Sequence, residues 1–247
     1  MRPLHRALAL GVAAGLLVGA CADPPAAAAS RRSAPTLFVA VDATGTLAHE
    51  RYDDAMAFLA WYVHGRVNGL GGLPIPGDLV VTAVGSTSEA PVRSVEDFVG
   101  RSVAEIEADL RAWFPPGDGP RDFTAFFRRV ARTVAERHLV LTPITVLVLT
   151  DGVPGKRAAA DAYREIDLRP LDYLARRITV RLAWTSPPVA ERWRSLARRA
   201  RVRLWTVDQE VMKSWRAHLA PDTPPAGQDR LWQWVRETID VRVRRGT

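Results

Sequence analysis

The 247-residue chain has a single cysteine, Cys21, and only two lysines, Lys156 and Lys213. With one cysteine no intramolecular disulfide can form, so a packed core must hold the domain together even in an oxidising compartment. His49, His64, His138 and His218 are scattered, with no His-Glu-x-x-His or other paired-ligand spacing, which excludes the familiar zinc-hydrolase patterns. Gly155-Lys156 lacks the upstream glycine of a phosphate-binding loop, and Gly85-Ser86-Thr87-Ser88 reads as a turn after a strand, not a nucleophile elbow. Internal repeats are absent. Beyond the leader there is no stretch of about 18 apolar residues, so no later segment is expected to cross a bilayer.

Arginine supplies the charge that lysine lacks. The net charge is +7, and without Arg2 and Arg6 the balance is 32 basic against 27 acidic residues, or +5. A GC-rich genome accounts for such an arginine skew, and no nucleic-acid partner is expected from it. Apolar residues make up 47% and charged residues 25% of the chain, the composition of a soluble globular domain.

The N-terminus reads as a targeting segment. A basic start, Arg2 and Arg6, precedes the apolar run Ala7 to Val18, too short to span a bilayer comfortably and typical of a signal-peptide core. It closes in Leu17-Val18-Gly19-Ala20-Cys21, which resembles the lipobox of bacterial lipoproteins. That resemblance implies cleavage after residue 20, lipid on Cys21 and an extracytoplasmic protein of the cell envelope. Ala22 after the cysteine favours the outer membrane where there is one. Two acyl chains, at about 0.8 kcal/mol per buried CH₂, anchor a protein stably. Residues 22–35 (ADPPAAAASRRSAP) have no periodicity and read as a flexible tether.

From Thr36 onward, strand and helix patterns alternate. Leu37–Val41 and Val146–Leu149 are apolar throughout, as in central strands covered on both faces. Leu79–Val84 and Val202–Val207 are further strands, and the alternation in Ile178–Trp184 suits a strand nearer the sheet edge. Helices are predicted near 48–66, 103–113, 123–134, 171–177, 189–200 and 211–219. The last segment, with Leu231, Trp232, Trp234, Val235 and Ile239, reads as a helix closing the domain. The pattern predicts an α/β fold with a doubly wound, mostly parallel sheet and helices on both faces. The expected organisation is a leader over 1–20, lipidated cysteine and tether over 21–35, a domain over 36–220 and a closing segment over 221–247. On the helix over 189–200, Arg192, Arg194, Arg198 and Arg199 face outward and read as a solvated face.

Ligands of such sheets sit at the carboxyl ends of strands where the strand order reverses. Both central-looking strands end in oxygen-rich loops: Asp42-Ala43-Thr44-Gly45-Thr46 and Thr150-Asp151-Gly152. A carboxylate with hydroxyls at alternate positions is a hard-oxygen set suited to Mg²⁺, Mn²⁺ or Ca²⁺. A plainer account has Asp42 and Thr44 capping the first helix and Asp151 ending a strand, but it leaves the five-residue pattern unexplained.

The pattern resembles the metal-ion-dependent adhesion site of von Willebrand factor A domains. That family has Asp-x-Ser/Thr-x-Ser/Thr after its first strand, a threonine from a second loop and an aspartate from a third. Asp42, Thr44 and Thr46 match the first part, Thr124 in Gly117-Asp-Gly-Pro-Arg-Asp-Phe-Thr124 the second, and Asp151 the third. The resemblance covers about residues 36–210, with Thr46 where serine is commoner. It implies a divalent cation, Mg²⁺ foremost, that bridges to an aspartate or glutamate of a protein partner, and no enzyme activity. A second family shares part of the motif. Asp42-Ala-Thr-Gly-Thr-Leu47 also resembles the nucleophile loop of haloacid dehalogenase-like phosphotransferases, with Asp42 attacking phosphorus. That chemistry wants a lysine before the second acidic motif, and Lys156 follows Asp151.

The leader generates the first prediction. Cys21→Ser should release the protein from membranes into the soluble fraction while its circular-dichroism spectrum is unchanged, because the tether separates anchor from core. Retention of the variant on salt-washed membranes would show that lipid on Cys21 is not the anchor.

Overall fold

The computed structural model describes residues 34–45, 47–85, 92–119, 121–155, 161–174 and 176–243. Five strands, β1 (Thr36–Val41), β2 (Asp78–Ala83), β3 (Ile144–Leu149), β4 (Ile178–Thr185) and β5 (Arg203–Asp208), form one sheet in the order β2-β1-β3-β4-β5. All four pairings are parallel. One isolated antiparallel bridge joins Val81 of β2 to Arg93. Between β1 and β3 the order reverses, and this is where a doubly wound sheet opens a crevice at its carboxyl ends.

Side-chain alternation along β1 divides the core in two. Leu37, Val39 and Val41 enter one apolar cluster with α1 (Tyr52–Val67), α2 (Val103–Trp113) and the C-terminal α6 (Asp229–Trp234). Phe38 and Ala40 enter the other, with α3 (Phe123–Glu136) and α4 (Pro187–Arg199). Three of the helices begin on a local signal. Ser102 and Glu105 form a reciprocal capping box at α2, with Ser102 N donating to Glu105 at 2.8 Å. Asp122 accepts from Ala125 N at 2.7 Å at α3, and Pro187 opens α4.

Helix α1 is buried over much more than the stripe Tyr52-Met56-Leu59-Val63. Ala55, Ala57, Phe58, Ala60 and Tyr62 are buried as well, because α2 and α6 cover the sides that face away from the sheet. Trp232 of α6 lies against Gly65 of α1, where a Cβ would come within 2.5 Å of the indole. A wide helical turn, Leu47–Arg51, carries the chain from the Asp42 loop into α1. After β5, a short α5 (Gln209–Lys213) and a turn at Trp215–His218 replace the continuous helix expected over 211–219.

A second expected helix also differs from the structure. The segment near 171–177 is not an α-helix but a tight turn, Arg169–Leu174. Pro170 has no N–H to give to a longer helix, while Leu171 and Leu174 still reach the core. Strand β4 lies next to the edge strand β5, as its alternation suggests, yet it is fully covered. It pairs on both sides, and all eight residues are buried. Its polar member Arg181 is accommodated because its guanidinium bonds the carbonyls of Ile239 and Val241.

The closing helix should therefore contribute heavily to stability. Trp232 is 0% exposed, and Trp232→Ala is expected to cost about 3–5 kcal/mol in a urea titration. The exposed Leu141→Ser should stay within about 0.5 kcal/mol of wild type.

Candidate functional site

The register of the central strands sets the site. Val41 is paired with Leu149, and Asp42 N donates to Leu149 O at 2.9 Å. The residues that follow, Asp42 from β1 and Thr150-Asp151 from β3, therefore emerge side by side. Asp42 is 1% exposed and Thr150 0%. Thr150 Oγ1 donates to Asp42 Oδ2 at 2.6 Å, and Thr44 Oγ1 donates to Asp42 Oδ1. Thr150 in turn accepts from Gly152 N at 2.8 Å, and Asp151 Oδ1 accepts from Val153 N at 2.9 Å. Both carboxylates are thereby held in place by their own loops.

The centre of the cluster holds a guanidinium. Arg121, from the loop before α3, has its side chain 6% exposed. Its Nε donates to Thr44 Oγ1 at 2.5 Å and lies 3.5 Å from Asp42 Oδ1. Its Nη1 donates to Asp151 Oδ1 at 2.9 Å and to the carbonyl of Val153, and Nη2 reaches Asp151 Oδ2 at 3.4 Å. Gly45 makes room for it. The backbone there has φ +57°, and an added Cβ would fall 1.5 Å from Arg121 Nη2. Both the conformation and the contact call for glycine.

Burial pushes the Asp42 carboxyl up from its ordinary value, and the Asp151 charge adds to that push. Arg121 and the hydroxyls of Thr150 and Thr44 work against it by favouring the ionised form. The arginine is thus the main electrostatic support of a buried carboxylate. Among the described residues, the Arg121 guanidinium is the cation that faces both acids.

The predicted residues divide as follows. Asp42, Thr44 and Asp151 are brought together. Thr46 lies outside the described residues. Thr124 is not brought to the cluster with its hydroxyl: Oγ1 donates to Glu165 O at 2.9 Å and accepts from Asp167 N at 3.0 Å. Its position at the first turn of α3 matches the motif, but the neighbouring segment 165–167 satisfies the side chain. Arg121 and Thr150 were not read from the sequence as site residues. The available signal was an arginine three positions before Thr124 in a Gly/Pro-rich loop, and a hydroxyl at the end of an otherwise apolar strand.

The donor set is chemically fit for a hard dication, since its oxygens are two carboxylates and a hydroxyl. In this arrangement a guanidinium stands in for that dication and takes the same oxygens. Nor is Asp42 presented as a nucleophile. It is buried, with both oxygens engaged by hydroxyls, so no phosphorus can approach it in line.

No family model and no curated protein sequence matches the chain. Among solved structures it is similar to the SpRpn10 VWA domain, with 8% identity over 79% of this chain and 93% of that one and a TM-score of 0.46. The conserved hypothetical protein BatB from Bacteroides thetaiotaomicron gives 9% identity, coverage of 74% and 95%, and a TM-score of 0.43. Manganese-loaded TRAP protein from Plasmodium vivax gives 17%, coverage of 73% and 70%, and a TM-score of 0.42. The strand order and the parallel pairings by themselves make the fold a doubly wound α/β sheet.

Removing Arg121 tests how much the cluster depends on it. Arg121→Ala leaves two carboxylates facing each other below the surface, and breaking such a buried pair costs about 3–5 kcal/mol. Arg121→Ala combined with Asp151→Ala should cost less than the sum of the two single changes, read from urea melts. Strict additivity would show that the two side chains do not interact.

Proposed function

We propose that this chain is a protein-binding module, held on the outer side of a bacterial membrane by lipid on Cys21. In this reading the partner docks at the carboxyl end of the sheet, over Asp42, Thr44, Arg121 and Asp151. The observation that carries the reading is the convergence of two carboxylates, from separate strands, on one cation position at the strand-order reversal. Burying that many charges brings little net stability, so a fold that keeps them is using them for recognition.

The cation position is exchangeable in this reading. Asp42, Thr44 and Asp151 are the residues that would hold Mg²⁺, or Mn²⁺ or Ca²⁺, when Arg121 withdraws. Thr46 and Thr124 belong to the same proposed ligand set, Thr124 only after releasing the 165–167 segment. A bound dication supplies an open coordination position for an aspartate or glutamate of the partner. Arg121 competes for the same oxygens and keeps the site neutralised in the meantime. A phosphotransferase role for Asp42 is not favoured, because the carboxylate is enclosed.

Manganese titration followed by electron paramagnetic resonance tests the reading without a known partner. Arg121→Ala should bind Mn²⁺ at least about tenfold more tightly than wild type, since hydrogen bonds to charged groups are worth about 1.5–3 kcal/mol and 1.4 kcal/mol is tenfold. Asp42→Ala should not bind at all. Partner capture from envelope extracts should be lost in chelator and in Asp42→Ala. If neither wild type nor Arg121→Ala binds manganese, the cation bridge is wrong and Arg121 is the permanent occupant.

A further inference from the structure

The amino end of the sheet carries a second charged feature. Arg66 of α1 and Arg181 of β4 are 3% and 6% exposed, and both address one carboxylate, Asp240. Arg66 Nη1 donates to Asp240 Oδ2 at 2.7 Å, and Arg181 Nε lies 3.9 Å from Oδ1. The Tyr62 hydroxyl donates to the same Oδ1 at 3.0 Å. Arg181 spends Nη1 and Nη2 on Ile239 O at 2.5 Å and Val241 O at 2.8 Å. The Nε atoms of both arginines have no hydrogen-bond partner among the described residues. Two buried cations thus share one anion, and a net positive charge is left where water screens it poorly.

These side chains line a cavity of about 900 Å³ that opens between the first residues of the strands. Arg176, Arg177, Arg203, Arg236 and Arg242 add five more guanidiniums to its wall, and Asp240 is the one acid among its described lining residues. The mouth is also apolar. Pro74 and Pro143 line it, and near them in the chain Ile75 is 53% and Leu141 74% exposed. Arg177 donates to Leu141 O at 2.5 Å, which ties that apolar residue to the charged wall. Pro35, the end of the tether read from the sequence, lines the same cavity.

We propose that this arginine-lined mouth binds the phosphate of an anionic lipid headgroup, with Ile75 and Leu141 entering the bilayer interface. A phosphate answers the unbalanced charge, and guanidiniums suit it by geometry. A lipid is chosen over a soluble phosphate for two reasons. Exposed apolar side chains, Ile75 and Leu141, adjoin lining residues in the chain, which a free anion does not need. The tether also enters the fold here, and residues 22–35 span at most about 50 Å when extended, so a lipidated Cys21 keeps this end near the surface. Anchored by its amino end, the domain presents the Asp42 end of the sheet away from the bilayer. The inference does not depend on the exchangeable cation, which occupies the opposite ends of the strands.

Residues 22–247 contain every element of the described fold, and this form without leader or lipid is the one to test. Vesicles containing phosphatidylglycerol should sediment it at low salt, and pure phosphatidylcholine vesicles should not. Arg236→Glu with Arg242→Glu, both exposed, should weaken sedimentation by about tenfold or more, given the contribution of each basic residue near an anionic surface. The equally large charge change Arg128→Glu with Arg132→Glu, on α3, should have a much smaller effect. Ile75→Ser with Leu141→Ser should weaken vesicle binding but leave binding of inorganic phosphate, followed by calorimetry, unchanged. Equal losses for the two arginine pairs would reduce the effect to net charge and overturn the site. Phosphate binding without vesicle binding would overturn the lipid assignment, and indifference to both probes would overturn the proposal.

Discussion

Parallel pairing of β1 with β3 is the constraint on which the molecule's chemistry depends. Their in-register ladder makes the apolar runs Leu37–Val41 and Val146–Leu149 neighbours at the middle of the sheet. Because the strands run the same way, both oxygen-bearing loops leave on the same side. Asp42 and Asp151, 109 positions apart in the chain, then face one buried guanidinium. An antiparallel arrangement, or a register shift, would put the two acids at different places and leave Asp42 buried without compensation. Helices on both faces protect that register by covering alternate residues of β1 in two separate apolar clusters.

The same strand direction gives the domain two unlike ends. At the carboxyl end, one arginine faces two acids among the described residues, and hydrogen bonds join them. At the amino end, arginines outnumber acids around Asp240, and two buried Nε atoms lack partners among the described residues. An internal arginine is a tethered cation: it neutralises acids without having to be recruited from solution, at the cost of restraining a long side chain. A lone carboxylate among many arginines achieves no such balance. The first end is satisfied within the fold, and the second calls for an anion from outside it.

Much of the fold was legible in local pattern. Apolar runs identified the two central strands, and strand-helix alternation identified a parallel sheet. The stripes of α3 and α4 were visible because those helices bury a single face. Helix α1 was underestimated, since residues covered by α2 and α6 look the same in sequence as residues on a solvent face. Strand β4 sits beside the edge, but its burial was not legible: Arg181 lends it an amphipathic rhythm, yet distant carbonyls at Ile239 and Val241 satisfy that arginine inside the fold. The segment near 171–177 reads as a helix, yet Arg169–Leu174 forms a tight turn, since Pro170 cannot support a longer helix.

By itself, the sequence determined which oxygens are available: Asp42, Thr44 and Asp151 stand at strand ends because apolar runs before them must be buried. It also determined that no disulfide supports the domain, since there is one cysteine. Only the tertiary structure decided what occupies the space between those oxygens. Arg121 lies in an irregular loop with no periodicity to reveal its direction, and it reaches the cluster because Gly45 has no side chain in the way. Thr124 was decided in the same manner, its hydroxyl going to Glu165 and Asp167. Burial patterns are local and periodic, so they can be read along the chain. Charge compensation is between residues far apart in sequence, and it exists only once the chain has folded.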